Sequence, residues 1–522
     1  MSANHGTPPR GLDATRSPLF EGRFGRMFRN IPPAQFGDKE DENLSNLRAL
    51  GDAMSATPDD SKDGIDSEES GIPALYTYFG QFVDHDITFD PVSSLTKSLD
   101  PDGLTDFRTP TFNLDNVYGR GPSDQPYMYD SSGRFHLGDP LAGTGGHPGF
   151  DLPRAHGRAI IGDPRNDENS LVSQLQGLML AVHNRTLADN PGLAFDQVQQ
   201  LVRFHYQYVV LNDFLPKIVS APVLDGLKTG GRYDPGKIRF YHWRHEPFMP
   251  VEFSVAAYRL GHSMIRPGYR LNDAKLLPIF PPATNPSAEA LTGFQPMGAG
   301  RALDWGRFID VDKRPRGLDA DDPAAPGDAA TLRRLQFAYR IDTSLVNPLH
   351  KLPPEVASEP PLSLAERNLV RGWRLGLPSG QAVARAMAVV PLTDAEIVIG
   401  KAVDSPGPGD TVGNIVKAVD DRGGNGAAFA DNCPLWTYIL AEAAHHRVKM
   451  KIPVSGGGTT RTPQLGPVGG RIVAEVFLGL LAGDGRSYIS LDPLWTPVTG
   501  ADFALRDLVA CGLGQGPALH YR

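Results

Sequence analysis

Apolar residues recur at a spacing near 3.6 through most of the chain after Pro73, and this period predicts amphipathic helices. Two of the predicted helices, at 170–189 and 250–266, each carry a single apolar stripe that should face a core. The first stripe consists of Leu171, Leu175, Leu178 and Val182, and the second of Val251, Val255, Tyr258, His262 and Ile265.

Two further helices are predicted from a capping signal and from composition. Ser363 and Glu366 form a capping box, so a helix should begin there and run to about Gly372. The run RIVAEVFLGLL at 471–481 predicts a buried helix. Strand patterns are short and few, and they do not alternate with helices as in a parallel sheet. The predicted fold class is therefore mainly α, with few short strands and long loops.

The first 70 residues differ in composition from the rest of the chain. They are polar and rich in Gly, Pro, Asp and Ser, with an acidic stretch at 38–42. This composition predicts an extended N-terminal arm over residues 1–70, parts of which phenylalanines can hold against the body. Because no strong linker interrupts the following sequence, residues 71–522 are predicted to form one large domain. The phenylalanines of the arm are Phe20, Phe24, Phe28 and Phe36.

Composition and charge exclude several classes of function. The chain has 522 residues, of which 40% are hydrophobic and 21% charged, and this is typical of a globular protein. A net charge of -9, without runs of basic and aromatic residues, argues against nucleic-acid binding. Cys433 and Cys511 make no metal-ligand pattern, although one disulfide remains open. Since no apolar stretch suits a signal peptide or a membrane span, we expect a cytoplasmic protein, or one secreted without a cleaved signal.

The segment GQFVDHD places several polar groups in an aromatic and aliphatic neighbourhood. On a helix, Gln81 and His85 are separated by four residues and share one face. An amide beside an imidazole can hold a water or a peroxide between them. The alternative from these residues alone is a hydrogen-bonded core histidine, with Asp84 and Asp86 in solvent.

Two later clusters also admit a structural and a functional interpretation. Arg165 and Glu168 stand three apart at a predicted helix start, where acidic residues commonly cap a turn. Arg259 lies one turn before His262 on the second apolar stripe. A lone histidine on such a stripe is usually a core residue, but with a cation one turn away it also suits a haem iron and a haem propionate.

A fourth cluster consists of Asn368 and Arg371, on the helix that begins at Ser363. In isolation, these two residues are typical of an ordinary exposed helix face. If the amide is buried it needs a partner, and a histidine that binds iron needs an acceptor for its other ring nitrogen.

Taken together and in this order, the four clusters resemble the peroxidase–cyclooxygenase superfamily. The resemblance is to the animal-type, myeloperoxidase-like haem peroxidases and their bacterial relatives, and it implies a single large helical domain that binds haem b. The matched residues are Gln81, Asp84, His85 and Asp86 in the distal motif, Arg165 and Glu168 in the second motif, Arg259 and His262 in the proximal motif, and Asn368 and Arg371 in the fourth.

The resemblance also implies a role for each catalytic residue. His262 would bind the haem iron, with Asn368 fixing its other ring nitrogen. His85 would move the proton of hydrogen peroxide, and Arg165 would stabilise the negative charge that develops. Gln81 would hold water or halide over the iron. The implied partners are hydrogen peroxide and small donors such as phenols, iodide, bromide or thiocyanate.

The haem itself is expected to be held at its edges. Arg259 and Arg371 would pair with its propionates. Asp84 and Glu168 occupy the positions of the carboxylates that form ester bonds to haem methyl groups in mammalian relatives. Asn169 stands where myeloperoxidase has the methionine of a sulfonium link. We therefore expect up to two ester bonds, no sulfonium link and inefficient chloride oxidation.

The segment TPTFNLDNVYG, at residues 109–119, is similar to the calcium loop of the family. Calcium prefers several hard oxygen ligands. An ordinary turn before a strand remains the alternative, because Asn113 replaces the carboxylate usual in the family. The implied calcium ligands are Thr109, Thr111, Asn113, Asp115 and Asp86.

Three alternative functions remain open from the sequence. A fatty-acid oxygenase of the same superfamily needs a tyrosine three residues before the proximal histidine, where this chain has Arg259, with Tyr258 one position away. The pair His85 and Asp86 also fits an HD-type metal-dependent phosphohydrolase, although further ligands are not obvious. The third alternative is a catalytically silent haem- or calcium-binding module. The sequence predicts neither the oligomeric state nor the physiological donor.

Overall fold

Helices around one large hydrophobic core dominate the computed structural model of the chain. The mainly α class predicted from the sequence is confirmed. Among the described residues, no helix is both long and apolar enough to cross a membrane. The described residues are 24–56, 67–88, 110–142, 149–312, 314, 333–354, 356–357, 359–454 and 458–521.

The α-helices of the described residues fall into two groups, separated by a long stretch of loops and hairpins. They are α1 (Glu40–Ala53), α2 (Leu75–Ile87), α3 (Asp115–Tyr118), α4 (Ser170–Asp189), α5 (Phe195–Val209), α6 (Leu215–Ile218), α7 (Ala221–Asp225), α8 (Leu364–Arg374), α9 (Gly380–Ala386), α10 (Ile415–Asp420), α11 (Leu435–His445), α12 (Gly469–Gly483), α13 (Tyr488–Leu491) and α14 (Leu505–Gly512). Short 3-10 helices span Pro126–Met128, Pro164–Asp167, Pro235–Lys237, Ala257–His262, Ala299–Arg301, Trp305–Arg307, Asn347–Leu349 and Gly426–Phe429, and π-helices span Val210–Phe214 and Glu252–Ala256.

The strands of the described residues pair only two by two. They are β1 (Phe24–Gly25), β2 (Glu69–Pro73), β3 (Pro140–Leu141), β4 (Gly149–Phe150), β5 (Arg154–Ala155), β6 (Arg158–Ala159), β7 (Lys228–Thr229), β8 (Arg232–Tyr233), β9 (Met249–Pro250), β10 (Gly268–Asn272), β11 (Lys275–Pro278), β12 (Phe337–Tyr339), β13 (Val398–Gly400), β14 (Thr411–Asn414), β15 (Arg447–Lys451) and β16 (Thr459–Pro463). β1 pairs in parallel with β9 and β2 pairs antiparallel with β12, while the other pairs are antiparallel hairpins.

Three predicted helices form close to their predicted limits. α4 matches the stripe at 170–189, and Asn169 caps it by accepting hydrogen bonds from the main-chain N–H groups of Leu171 and Val172. α8 begins after Ser363, whose hydroxyl accepts from the N–H of Glu366 as a capping box requires. α12 contains the apolar run at 471–481. These elements carry their start signals and buried faces in the local sequence.

The predicted helix at 250–266 is wrong in its winding. Residues 252–256 form a π-helix and residues 257–262 a 3-10 helix, with Ala256 at φ -124° and ψ -72° between them. The apolar stripe still faces the core, with Val255 buried. Because these helices differ from an α-helix by less than one residue per turn, an apolar stripe predicts the buried face without fixing the winding.

Part of the predicted N-terminal arm is folded rather than extended. α1 packs on α8 and α10, and its Leu47 and Leu50 are fully buried. Phe24, Phe28 and Phe36 are buried as well, while Phe20 lies outside the described residues. The polar composition of this segment concealed apolar residues at helical spacing. The division into an arm and a 71–522 domain stays a prediction.

Candidate active site

One cavity of about 310 Å³ brings together residues from the predicted motifs. Its polar lining includes Asp84 of α2, Arg165, Arg259, Asn368 and Arg371. The imidazoles of His85 and His262 do not line the cavity themselves, but each residue is hydrogen-bonded to one that does. The remaining wall is mostly apolar and includes Phe24, Val251, Val255, Leu352, Leu364 and Leu375.

His85 is a buried imidazole with one ring nitrogen in a defined hydrogen bond. Its Nδ1 lies 2.7 Å from Oδ1 of Asn166, and only 5% of the residue is exposed. Burial, and to a lesser extent the nearby Arg165 guanidinium, lower the pKa of His85 to about 4, against the opposing charges of Asp163 and Asp84. The ring is therefore neutral near neutral pH.

Arg165 is held beside His85 by the buried carboxylate of Asp163. Asp163 caps the 3-10 helix Pro164–Asp167 and also pairs with the Arg165 guanidinium at 2.8 Å. The same guanidinium donates to the main-chain carbonyl oxygens of His85, at 3.0 Å, and of Thr88. Arg165 is thus fixed between α2 and this turn while it lines the cavity.

Gln81 is engaged by two residues of the second motif. Its amide nitrogen donates to Glu168, and its amide oxygen accepts from Nδ2 of Asn169 at 3.2 Å. Burial raises the pKa of Glu168 to about 7, despite the opposing effect of Arg165. The structure therefore brings Gln81 and Glu168 together, and Asn169 joins them in addition to capping α4.

His262 ends the 3-10 helix 257–262 and contacts Asn368 of α8. Nδ1 of His262 lies 2.8 Å from the amide nitrogen of Asn368. Burial lowers the pKa of His262 to about 3, with a further contribution from Arg259, so the ring is neutral, as an iron ligand must be. As the amide lies, it donates to Nδ1, whereas the sequence predicted that Nδ1 donates to the amide oxygen. A half-turn of the amide gives the predicted bond, since its two ends are nearly alike in shape.

The cavity suits a group that is apolar in its body and anionic at its edge. The guanidinium of Arg259 donates to the carbonyl oxygen of Ser254 at 3.1 Å. Burial lowers the pKa of Arg259, so an anion bound in the cavity would stabilise its positive charge. Arg371 also lines the cavity, as does Arg367. The sequence had indicated Arg371 but not Arg367. Apolar walls, arginines and a neutral histidine beside the cavity fit a haem with two propionates.

The predicted calcium loop does not by itself fit a metal ion. Thr109 lies outside the described residues, and Thr111 is largely buried. Asn113 and Asp115 bond to each other, while the guanidinium of Arg203 donates to the carbonyl oxygen of Asn113 and lies 4.0 Å from the carboxylate of Asp115.

A metal-binding group of three or more His, Cys, Asp or Glu is not found in the part of the chain that the structure describes. Asp86, the remaining predicted calcium ligand, is fully buried on α2. The guanidinium of Arg203 would compete with calcium for the carboxylate oxygens of Asp115, and this weakens the case for a calcium site. Calcium stays a prediction.

Besides Arg367, two hydrogen-bonding residues of this site were missed by the sequence reasoning. Asp163 fixes Arg165, and its position two residues before the arginine at a Pro-containing turn was a usable signal. Asn166 holds His85, but an amide inside a charged turn gives no sign of its partner, which lies 81 positions away. His242 and His245, the other histidines near His262 in sequence, are exposed.

Comparison with known families matches residues 138–289 to the animal haem peroxidase family. This range contains Arg165, Glu168, Arg259 and His262, whereas α2 and α8 lie outside it. Dog (Canis lupus familiaris) thyroid peroxidase is 25% identical over 327 residues, which are 56% of this chain and 30% of that protein. The match thus spans less than a third of that relative's length.

Solved structures share the fold of the chain. Peroxidase A from Dictyostelium discoideum superposes with a TM-score of 0.53 at 16% identity, covering 90% of this chain and 89% of that one. The fatty acid alpha-dioxygenase of Arabidopsis thaliana gives a TM-score of 0.51 at 15% identity, covering 94% and 77%. Since one is named a peroxidase and the other a dioxygenase, the fold leaves the reaction open.

Proposed function

We propose that the chain is an animal-type haem peroxidase of the peroxidase–cyclooxygenase superfamily, which reduces hydrogen peroxide and oxidises a small electron donor. The observation that carries this proposal is the single cavity lined by Asp84 and Arg165 together with Arg259, Asn368 and Arg371. Four motifs far apart in sequence meet there with the residue types that peroxide chemistry needs.

We propose that the cavity binds haem b. His262 would hold the iron, and Asn368 would accept the proton of its other ring nitrogen, which makes the imidazole a more basic ligand. Arg259 and Arg371 would bind the propionates through charge-assisted hydrogen bonds. Bound haem supplies the redox chemistry, in which peroxide is reduced to water and a donor is oxidised.

His85 is the proposed acid and base for hydrogen peroxide. Because burial lowers its pKa to about 4, the ring is neutral and can accept the peroxide proton. The same low pKa favours return of that proton to the departing oxygen. Arg165, held by Asp163, would stabilise the negative charge that develops on the oxygen atoms.

Asp84 and Glu168 are the proposed points of covalent attachment. Each carboxyl group would form an ester with a haem methyl group, at the expense of one peroxide that is reduced to two waters. Asn169 offers no thioether, so we propose no sulfonium link. Calcium binding at the 109–119 loop stays a prediction from the sequence and is not part of this proposal. Extraction with acid-acetone tests the esters, because haem that leaves the denatured protein freely has none.

The alternative of a fatty-acid oxygenase is favoured by the fold and disfavoured by the residues. Arg259 stands where the tyrosine would be. The neighbouring Tyr258 stacks on Phe253, with ring centroids 4.8 Å apart, and donates its hydroxyl to the carbonyl oxygen of Gly80. The phosphohydrolase alternative lacks support, because the described residues contain no cluster of metal-binding side chains.

The test of the proposed function is a spectrum followed by a variant. Purified protein supplied with haem should give a Soret band and oxidise phenols, iodide, bromide or thiocyanate with hydrogen peroxide. Arg165→Ala should keep the band and lower kcat/KM for peroxide roughly 100- to 1000-fold. Arg385→Ala, which breaks an exposed ion pair with Asp431, is the control and should change nothing. Absence of the Soret band, or full turnover in Arg165→Ala, contradicts the proposal.

A further inference from the structure

A closed circuit of buried amide groups orients the imidazole of His85, and we propose that Asn166 and Gln176 are positioning residues that fix its tautomer. The circuit leaves α2 at His85, passes through both amides and the main chain of Asn116, and returns to α2. Asn166, Gln176 and Asn116 are each 0% exposed. The catalytic consequence of this inference rests on the proposed peroxidase function, whereas its geometry does not.

Each link of the circuit is a hydrogen bond of ordinary length. Nδ1 of His85 lies 2.7 Å from Oδ1 of Asn166. Nδ2 of Asn166 donates to Oε1 of Gln176 at 2.7 Å, and Nε2 of Gln176 donates to the carbonyl oxygen of Asn116 at 3.2 Å. The side chain of Asn116 donates to the carbonyl oxygen of Phe82 at 3.0 Å, one turn before His85 on α2.

The polarity of the circuit follows from its main-chain end. The carbonyl oxygen of Asn116 can only accept, so Gln176 must face it with the amide nitrogen. The oxygen of Gln176 then faces Asn166, which must present its own nitrogen there and its oxygen to His85. Nδ1 of His85 consequently carries the proton, and the lone pair of the neutral ring lies on Nε2. Turning either amide would set donor against donor or acceptor against acceptor, at a cost of about 1–3 kcal/mol for each buried group left unpaired.

Rigid elements hold the members of the circuit in place. Asn166 lies in the turn Pro164–Asp167, where Asp167 pairs with Arg154 through two bonds of 2.7 Å. Gln176 lies on α4. Gly162 lets α3 approach this turn, because a Cβ there would lie 2.3 Å from the carbonyl oxygen of Asp115. Asn116 is therefore held against both α4 and the catalytic turn.

This tautomer is the one that a distal base requires. A base accepts the peroxide proton only through a ring nitrogen with a free lone pair, and the other tautomer would present an N–H group instead. A purely structural role is the competing explanation, since buried amides also satisfy one another in proteins that do no chemistry. The two explanations differ in what happens to the ring proton when Asn166 is changed.

The experiment observes the ring nitrogens of His85 by 15N NMR in protein labelled at histidine. The reduced, carbon-monoxide-bound form of the haem-loaded protein is diamagnetic and suits this purpose, and the signal lost in His85→Gln identifies the residue. Wild-type His85 should show the Nδ1–H tautomer. Asn166→Leu should shift the population toward Nε2–H and lower kcat/KM for peroxide roughly 10- to 100-fold. Gln176→Leu should move both readouts in the same direction by less.

Two further variants separate positioning from folding. Asn166→Asp keeps an acceptor for Nδ1–H, while its other oxygen faces Oε1 of Gln176, so it should retain the wild-type tautomer at lower stability and recover part of the rate lost in Asn166→Leu. Asn184→Leu is the matched control on α4, because it removes a buried amide that is bonded at both ends to the main chain of Phe135 and to no member of the circuit. It should lower stability without changing the His85 signal.

The inference is overturned if wild-type His85 carries its proton on Nε2, or if Asn166→Leu keeps both the Nδ1–H tautomer and the peroxide rate. Failure of the proposed function looks different. If the chain takes up no haem, the spectrum of the purified chain still reports the tautomer, and an Nδ1–H signal that depends on Asn166 would support the circuit alone.

Discussion

The His85 side of the cavity differs from the His262 side in how the imidazole is oriented. His85 lies on a regular α-helix, and its Nδ1 faces an amide oxygen whose direction is set by a chain of hydrogen bonds ending on main-chain carbonyls. His262 ends a 3-10 helix that follows a π-helix, and its Nδ1 faces the amide nitrogen of Asn368, 106 residues later in the chain.

The difference concerns which tautomer each ring adopts before a ligand binds. The circuit gives His85 a free lone pair on Nε2. The Asn368 amide, as it lies, donates to Nδ1 of His262 and so favours a proton on Nε2, the nitrogen that would bind iron. Binding there requires the proton to move to Nδ1 and the amide to turn, so on this side the ligand sets the tautomer.

The two sides also depend on different parts of the chain. The His85 side is built from α2, α3, α4 and the turn between them. On the His262 side, the buried carboxylate of Glu252 accepts from the N–H groups of Met27 and Phe28, both at 3.1 Å. α1 packs on α8 there, and Arg48 donates to Glu366 at 3.1 Å. Folded N-terminal residues therefore support the predicted iron-binding side.

The same substitution on the two sides should give opposite results, and this is the largest effect we expect. His262→Ala removes the iron ligand, so haem should be lost on gel filtration and the Soret absorbance per protein should fall to background. His85→Ala should retain haem and lower kcat/KM for peroxide roughly 100- to 10,000-fold, the range of general acid–base catalysis. Haem retained by His262→Ala but lost by His242→Ala would instead identify the exposed His242 as the iron ligand.

Asn368 tests whether the His262 side adopts the Nδ1–H tautomer once iron binds. Asn368→Leu leaves the ring without an acceptor and should lower haem affinity or activity roughly 10- to 100-fold. Asn368→Asp offers an anionic acceptor, so it should retain haem and lower the iron reduction potential by making the imidazole more basic. Haem dissociation rates and a potentiometric titration measure the two effects. Equal potentials in Asn368→Asp and wild type would contradict the predicted bond.

The sequence predicted the His85 side better than the His262 side, for a physical reason. α4, on the His85 side, carries its start signal and its apolar stripe within one segment, so local rules locate it. The winding of residues 252–262 depends on what packs against them, including Met27 and Phe28, and local periodicity does not contain that information. On the His85 side, the sequence did not indicate Asn166, because the hydrogen-bond partner of a polar residue in a turn is known only from the folded structure.

Glu252 allows the support of the His262 side to be tested by pH. Burial raises the pKa of Glu252 above its ordinary value of 4.5, although the N–H groups of Met27 and Phe28 and the charge of Arg26 oppose this. The folded protein therefore binds this proton more tightly than the unfolded chain, and the contribution of Glu252 to stability falls as pH rises above 4.5. Glu252→Gln lacks this dependence.

The measurement compares urea unfolding of wild type and Glu252→Gln at pH 5 and at pH 8. The difference in unfolding free energy should move in favour of the variant at the higher pH, because the unfolded chain loses the Glu252 proton at lower pH than the folded protein does. Because all other titrating groups are common to both proteins, their contributions cancel. A difference that is constant with pH, or that moves in favour of wild type, would contradict the raised pKa.

Arg48→Met should have the smallest effect, and it tests whether α1 stabilises only the His262 side of the cavity. The Arg48 side chain is 65% exposed and Glu366 is 10% exposed, so solvent screens the pair and its loss should cost only about 0.5 kcal/mol of unfolding free energy. Methionine keeps the apolar stem that covers α8. Lys417→Met, which breaks an exposed pair with Asp421 on α10, is the matched control. If α1 supports only the His262 side, Arg48→Met should speed haem loss slightly more than the control does and leave the tautomer of His85 unchanged.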